Sequence, residues 1–466
     1  MLVATLALAM LGVRPRNRVL VETPSIPDIL VTWNSEIIAN PKSGVGISGT
    51  HTALLAMAER FAASGWETYL VGQVTKPSSM AAANGVHYVP LDEAQTRLKA
   101  LTFNVTIVST ALSVARFFTE VVTQRLCILM EMQDVDLNDA KRLKTYSEAQ
   151  RAVHPSYELV FAHLSPWGQS LFPRYAPRWM QLSQWVRHLQ WRNPVDTEAV
   201  DRISSSSHIP RNPLGFVFPA CYERGGAVAA RVYARVRDRY GGMVNASRMH
   251  TSTERERERE SIVARATWAQ YAKDNRGSIA ERDGIRSAAG QGLDVLVTHF
   301  SKEALLRELL GSSFFVYGLA SVRGIVHYDT FANAVAEALV AGVLVLAPPI
   351  AALPSVFGEA VMWVTPPGGI PAKAQSAYKP LHVPQLYDDT MIDRYVDAIE
   401  HLRANSTRRA QMQRYAQRLV RRYSAERVTV NLYELLTSCT ATGSIAARKT
   451  CEEHHQRYQT FPNLKL

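Results

Sequence analysis

Cysteine is scarce: there are four in 466 residues, Cys127, Cys221, Cys439 and Cys451, far apart and with no CxxC pair. That spacing offers neither a zinc site nor a disulfide framework, and it points to a reducing compartment. Long apolar runs are missing as well. The N-terminal one, within MLVATLALAMLGVRPRNR, covers about a dozen residues, short of the roughly 20 that a membrane-crossing helix needs. Its arginines follow the run instead of preceding it, so a cleaved signal peptide is not expected and the sequons at Asn104, Asn245 and Asn405 carry no weight. A cytoplasmic location is the expectation. Acidic residues are the minority charge, 41 against 52 Lys+Arg, for a net +11. A basic balance of this size favours anionic ligands, whether nucleotide phosphates, polyanionic glycans, membrane surfaces or nucleic acid, without choosing among them.

What is present is ordinary globular material. Apolar residues make up 47% and charged ones 20%, which excludes a disordered or fibrous chain, and the length predicts two domains. The densest basic clusters, Arg231 to Arg239 and Arg408 to Arg422, sit at helical spacing and read as solvated helix faces.

DILVTW (28–33), a glycine loop with Gly44, Gly46 and Gly49, the helical HTALLAMAERFAASG and ETYLVG (67–72) make a βαβ unit. Strand-like runs follow at HYVPL (87–91), VTIVST (105–110), LCILMEM (126–132) and YELVFAHL (157–164), so the N-terminal half reads as one doubly wound α/β domain. WRNPVDTEAVDRISSSSHIPRNPLG, rich in Ser, Pro and Asn, reads as a linker. A second series then alternates: strand GFVFPA (215–220), helix AVAARVYARVRDRY, strand LDVLVT (293–298), helix KEALLRELL, and strands FFVYGL (314–319) and VLVLAPP (343–349). TERERERE (253–260) has no apolar face and reads as a solvated helix or loop, while residues 406–436 read as long, basic and helical. Two tandem Rossmann-like domains would bind ligand in the crevice at their strand carboxyl ends.

The stretch HYDTFANAVAEALVAG (327–342) carries the chemistry. In one continuous helix, Asp329 and Glu337 would point about 80 degrees apart, so they are not a catalytic pair of that kind. The better arrangement starts the helix near Phe331 with Asp329 or Thr330 at its cap. Phe331, Val335, Ala338 and Leu339 then share one face, and Asn333 and Glu337 another. Small neighbours allow close approach, and the helix N-terminus offers free N–H groups to a phosphate. On these features alone, a capped helix with an exposed glutamate remains the alternative.

The stretch continuing through VLVLAPPIAALPSVFGEAV resembles the signature of retaining GT-B glycosyltransferases related to glycosyltransferase family four: an acid, seven residues, a Glu, a helix ending in a small-Gly step and a strand. Other segments are similar to that family in the same order. They are GVGISGTHTALLAMAERFAASGWETYLVG, RNPVD (192–196), FVFPACYERGGAVAARVYARV and RAQMQRYAQRLVRRYSAERVTVNLYELL, so the resemblance spans roughly residues 28 to 436.

The resemblance implies a GT-B architecture, α/β throughout, with two parallel sheets facing across a cleft and a C-terminal helix crossing back. Residues 1–24 would be an extension, 25–205 the acceptor-side domain, 206–425 the donor domain, and 426–466 the crossover helix and tail. It further implies an enzyme that transfers a sugar from a nucleotide-diphosphate donor to a hydroxyl on a glycan, protein or lipid, with retention and without a metal or other cofactor. Asp329 would contact the donor sugar and Arg224 the diphosphate. Glu337 would hold the ribose, and the backbone of Thr330, Phe331, Ala332 and Asn333 would hold phosphate. Gly49 would admit the diphosphate or acceptor closely. Nucleic acid is not an implied partner; peripheral contact with a membrane through the basic surface is compatible with it.

The sequence departs from the family at three places. Asp329 stands where Glu is usual, a reach shorter by about 1.5 Å. A second basic residue before Arg224 is missing, and so is the N-domain histidine expected in MEMQDVDLND, for which His163 is the substitute candidate. These losses motivate a rival reading as a non-catalytic sugar-nucleotide or glycan binder. A second rival, a metal-dependent inverting transferase, would use Asp134 and Asp136.

Overall fold

The computed structural model describes residues 29–32, 49–72, 85–99, 101–109, 121–130, 137–220, 224–247, 264–266, 287, 302–321, 324–326, 328–329, 331–376 and 381–428. Runs of Val, Ile, Leu and Phe without polar alternation build strands buried on both faces, which a parallel sheet between helix layers requires. The first sheet has seven strands: β1 (Ile29–Thr32), β2 (Thr68–Gly72), β3 (Val86–Pro90), β4 (Thr102–Ser109), β5 (Val122–Met130), β6 (Glu158–His163) and β7 (Val186–Gln190). Their order is β3-β2-β1-β4-β5-β6-β7, and every pairing is parallel. The six strands read from the sequence lie within a few residues of their expected places. β7, VRHLQ, was not anticipated because its Arg, His and Gln hide the strand.

The second sheet holds β8 (Phe216–Phe218), β9 (Ala264–Ala266), β10 (Phe314–Val316), β12 (Leu344–Ala347) and β13 (Val361–Trp363), in the order β13-β12-β10-β8-β9, again all parallel. A small antiparallel ribbon joins β11 (Ile325–Val326) to β14 (Leu381–His382). β9, just beyond TERERERE, was not anticipated from the sequence. TERERERE and LDVLVT themselves lie outside the described residues.

The expected linker is in part a helix, Thr197–Ser206. Composition hid it: the serines dominate, but Asp196 caps the first turn by accepting from the Ala199 N–H at 2.9 Å, and Ala199, Val200 and Ile203 form a buried face. That helix leans on Lys302–Gly311.

The basic cluster 231–239 also differs from a simple solvated face. Along the helix Gly226–Ser247, Arg231 pairs with Asp389 at 2.8 Å, Arg235 with Asp393 at 3.4 Å and Arg239 with Glu400 at 2.7 Å, lacing it to Asp389–Ala404. Arg414, Arg418 and Arg422 remain exposed.

The helix Ser406–Arg421 ends in a turn, and the chain returns to the first domain's exit strand. The Val195 N–H donates to the Tyr423 carbonyl at 2.8 Å, and the Ala425 N–H donates to the Val195 carbonyl at 3.1 Å. Residues 425–428 then resume helical structure. The two halves also share packing, since the helix Gly49–Ala63 lies beside Asn333–Val340. Among the described residues, no helix is long and apolar enough to cross a membrane.

Candidate functional site

In a sheet of parallel strands joined through helices, the helices run opposite to the strands, so their N-termini gather at the strands' carboxyl edge. Among the described strands, the chain goes from β8 to β9 on one side and then to β10 on the other. The order reverses between β8 and β10, and such a reversal opens a crevice at the carboxyl edge. Arg224 follows β8, Lys302 opens the helix before β10, and Asp329 and Glu337 lie on the segment between β10 and β12. Sequence positions spread over about a quarter of the chain thus meet at one edge.

Arg224 is set by a tight backbone approach. Its carbonyl accepts from the Leu319 N–H at 2.9 Å, and Gly225, at φ +104°, lies so close to β10's exit that an added Cβ would sit 2.5 Å from the Leu319 nitrogen. Leu319 itself is a buried residue with φ +60°, a left-handed conformation that costs a non-glycine about 1–3 kcal/mol. Gly225→Ala is therefore expected to destabilise the protein by about 2–3 kcal/mol, read as a fall in the urea midpoint with unchanged slope.

From this turn the Arg224 guanidinium reaches Asp329 Oδ1 at 2.9 Å and, through the same Nη1, the Tyr328 carbonyl at 2.7 Å. The Tyr317 hydroxyl, buried at the end of β10, donates to Asp329 Oδ2. Both oxygens of Asp329 are thus engaged. This corrects the expectation that Asp329 or Thr330 caps the helix: the helix is Asn333–Val340, its N-cap is Ala332, and no side chain caps it. Thr330 lies outside the described residues. Phe331 is buried against Phe357 and Tyr423, and Ala332 is buried as well.

Glu337, one turn inside, is 9% exposed, so the reading as an exposed glutamate does not hold. Its Oε1 accepts from Lys302 Nζ. Phe331, Val335, Ala338 and Leu339 are buried as expected, but so are Ala336, Glu337 and Val340, so burial does not separate two faces, and Phe331 precedes the helix. The small-Gly step closes the helix as a Schellman turn. The Val343 N–H donates to the Ala338 carbonyl at 2.9 Å, the Gly342 N–H to the Leu339 carbonyl at 3.0 Å, and Gly342 takes φ +77°. Arg211 and Gln413 donate to the carbonyls of Ala341 and Gly342, placing a cation at the negative end of the helix.

The first domain reaches this edge through Trp167. Ser165 caps its helix, Pro166–Tyr175, by accepting from the Gly168 N–H at 3.1 Å, and Pro166 presets the first turn. The Trp167 ring stacks on Tyr328, centroids 6.0 Å apart and 25° between planes. Burial pushes the Tyr328 phenol up to about 12.

His163 does not join that cluster. It is buried at the end of β6, stacked on His188, with its Nε2 3.0 Å from His188 Nδ1. Burial first, and the neighbouring His188 second, push it down to about 3; burial lowers His188 too, against the Met180 carbonyl. The folded imidazole refuses a proton that the unfolded one takes below about 6.5. Stability is then full above pH about 6.5 and falls as pH drops toward 3, by up to about 1.4 kcal/mol per unit. His163→Phe, stacking with Phe172, is expected to flatten that decline, seen as a smaller Tm difference between pH 7.5 and pH 5.

Gly49 begins the helix Gly49–Ala63, and the glycine loop before it lies outside the described residues, as do Asp134 and Asp136. Three residues of the site were not read from the sequence. Tyr317, inside FFVYGL, looks like core. Trp167 carries no pattern. Lys302 had a usable signal, a cation in the first turn of a helix, where the dipole disfavours it.

Chemically, the edge offers two cations, two carboxylates and three helix N-termini. Cations and N–H groups suit phosphates, and carboxylates suit hydroxyls. No protein-family model and no curated protein sequence matches the chain. Solved structures do match in fold. A glycosyltransferase from Rickettsia africae is 8% identical, with a TM-score of 0.54 over 90% of this chain and 100% of that one. Sucrose-phosphate synthase from Thermosynechococcus elongatus is 11% identical, TM-score 0.56, over 89% and 100%. HepE from Anabaena, solved in complex with UDP and glucose, is 11% identical, TM-score 0.54, over 88% and 99%. The fold is the GT-B fold expected from the sequence, two Rossmann-like sheets in tandem.

Proposed function

We propose that the chain is a glycosyltransferase that moves a sugar from a nucleotide-diphosphate donor to a hydroxyl acceptor, with retention at the anomeric carbon. The observation that carries this reading is the meeting of Arg224, Asp329 and Glu337 at the switch point of the second sheet, on a fold shared with transferases. Arg224 and the N-terminus of Asn333–Val340 stabilise the charge that develops on the departing diphosphate, the term that lowers such barriers most. Asp329, held by Tyr317 and Arg224, positions the sugar, and Glu337 accepts from the ribose hydroxyls. Tyr317 offsets the shorter acid by fixing it, so the missing methylene does not leave Asp329 loose. No separate general base is needed, because the leaving phosphate oxygen itself takes the acceptor's proton.

Arg224 and the helix end supply the positive charge that a metal provides elsewhere, so chelation by EDTA is expected to leave turnover unchanged. Proton NMR of a turnover with UDP-, GDP- and ADP-sugars tests the reading. The expected product keeps the donor's anomeric configuration. An inverted product would contradict retention, and binding without turnover would favour the non-catalytic reading.

A further inference from the structure

We infer that Lys302 is a second nucleoside contact, forming with Glu337 a paired donor and acceptor for the vicinal hydroxyls of a ribonucleotide; this rests on the donor-site reading of Glu337 given above. Glu337 is the sole charged residue of NAVAEALV, in a helix otherwise buried from Val335 to Val340. Its partner comes from another helix, 35 residues earlier, and is the first residue of that helix. Both choices run against local stability. A cation in the first turn opposes the helix dipole, and a pair this buried, 24% and 11% exposed at the side chains, does no more for stability than well-packed apolar residues would. Sites that break local rules without structural gain are where ligands are handled.

The hydrogen-bond inventory says which ligand. Lys302 uses one of its three N–H donors on Glu337 Oε1. Among the described residues, the other two donors and Glu337 Oε2 have no protein partner. An acceptor oxygen and a donor ammonium then stand side by side at the carboxyl edge, both beside small apolar neighbours. A diol satisfies both at once: one hydroxyl donates to Glu337 Oε2, and the oxygen of the other accepts from Lys302 Nζ. A lone hydroxyl leaves half of the pair unmet, a loss that disfavours deoxy analogues.

The test is calorimetric titration of the full chain with UDP, GDP and ADP and with their 2′-deoxy and 3′-deoxy counterparts, for wild type and Lys302→Met. Wild type is expected to bind one ribonucleotide about 30-fold more tightly than either deoxy form. Lys302→Met is expected to bind that ribonucleotide about 30-fold more weakly and to lose its preference over one of the two deoxy forms. If the Met variant does not fold, Lys302→Gln, a neutral donor, is read by the same ratio. An equal weakening of ribo and deoxy forms would show that Lys302 only neutralises Glu337. Binding by wild type without ribose preference overturns this inference alone; no binding of any diphosphate overturns the donor site with it.

Discussion

Arg224→Ala is expected to lower kcat for sugar transfer by about 10²–10³-fold, the usual loss when one donor to a developing negative charge is removed. One guanidinium nitrogen, Nη1, meets both Asp329 Oδ1 and the Tyr328 carbonyl, and the Gly225 turn presents the side chain, so that nitrogen is placed before any substrate arrives. Its removal also frees one oxygen of Asp329, leaving Tyr317 to hold the other. Arg224→Lys keeps the charge but not the planar, rigidly placed guanidinium, and is expected to recover a minor part of the rate. Steady-state kinetics beside nucleotide titrations separates the two effects. A fall in kcat larger than the change in nucleotide affinity marks action on the transition state.

Glu337→Ala is expected to weaken nucleoside-diphosphate binding by about 100-fold, since the charged acceptor of one ribose hydroxyl disappears and Lys302, the donor to the other, loses its anchor. It also strands the Lys302 ammonium in a site 24% open, at a cost of about 1–3 kcal/mol of stability. Glu337→Gln keeps the volume and separates the contributions. It is expected to retain most of the stability of the fold while losing most of the affinity. Urea unfolding and calorimetric titration on both variants check this.

Much of the architecture was legible because it depended on local composition. Six strands of the first sheet carry apolar and β-branched stretches long enough to read, such as ILVT in β1 and LCILM in β5, and the glycine-bounded helix after β1 has a helical apolar period. The stretch 327–342 was legible as a buried helix closed by its small-Gly step, though not in where the helix starts or in a division into two faces. What the sequence hid depended on long-range partners or on misleading composition. The serines of 204–207 masked a helix whose cap, Asp196, and buried face were local all along. The pairing of Arg231, Arg235 and Arg239 with Asp389, Asp393 and Glu400 crosses about 160 residues and cannot be read from the basic run. The same is true of Lys302 with Glu337. Tyr317 is disguised by its apolar neighbours, although its hydroxyl holds Asp329 Oδ2.

The central claim is that the carboxyl edge between β8 and β10 is a nucleotide-sugar site. Thermal melting of wild type and Glu337→Ala against UDP, GDP, ADP and their sugars tests it most directly, because a ligand at 100 times its Kd adds about 2.7 kcal/mol to the folded state alone. A rise of several degrees with one base and its sugars is expected in wild type, and little or none in Glu337→Ala. No rise with any of them at millimolar concentration, or an equal rise in both proteins, would contradict it.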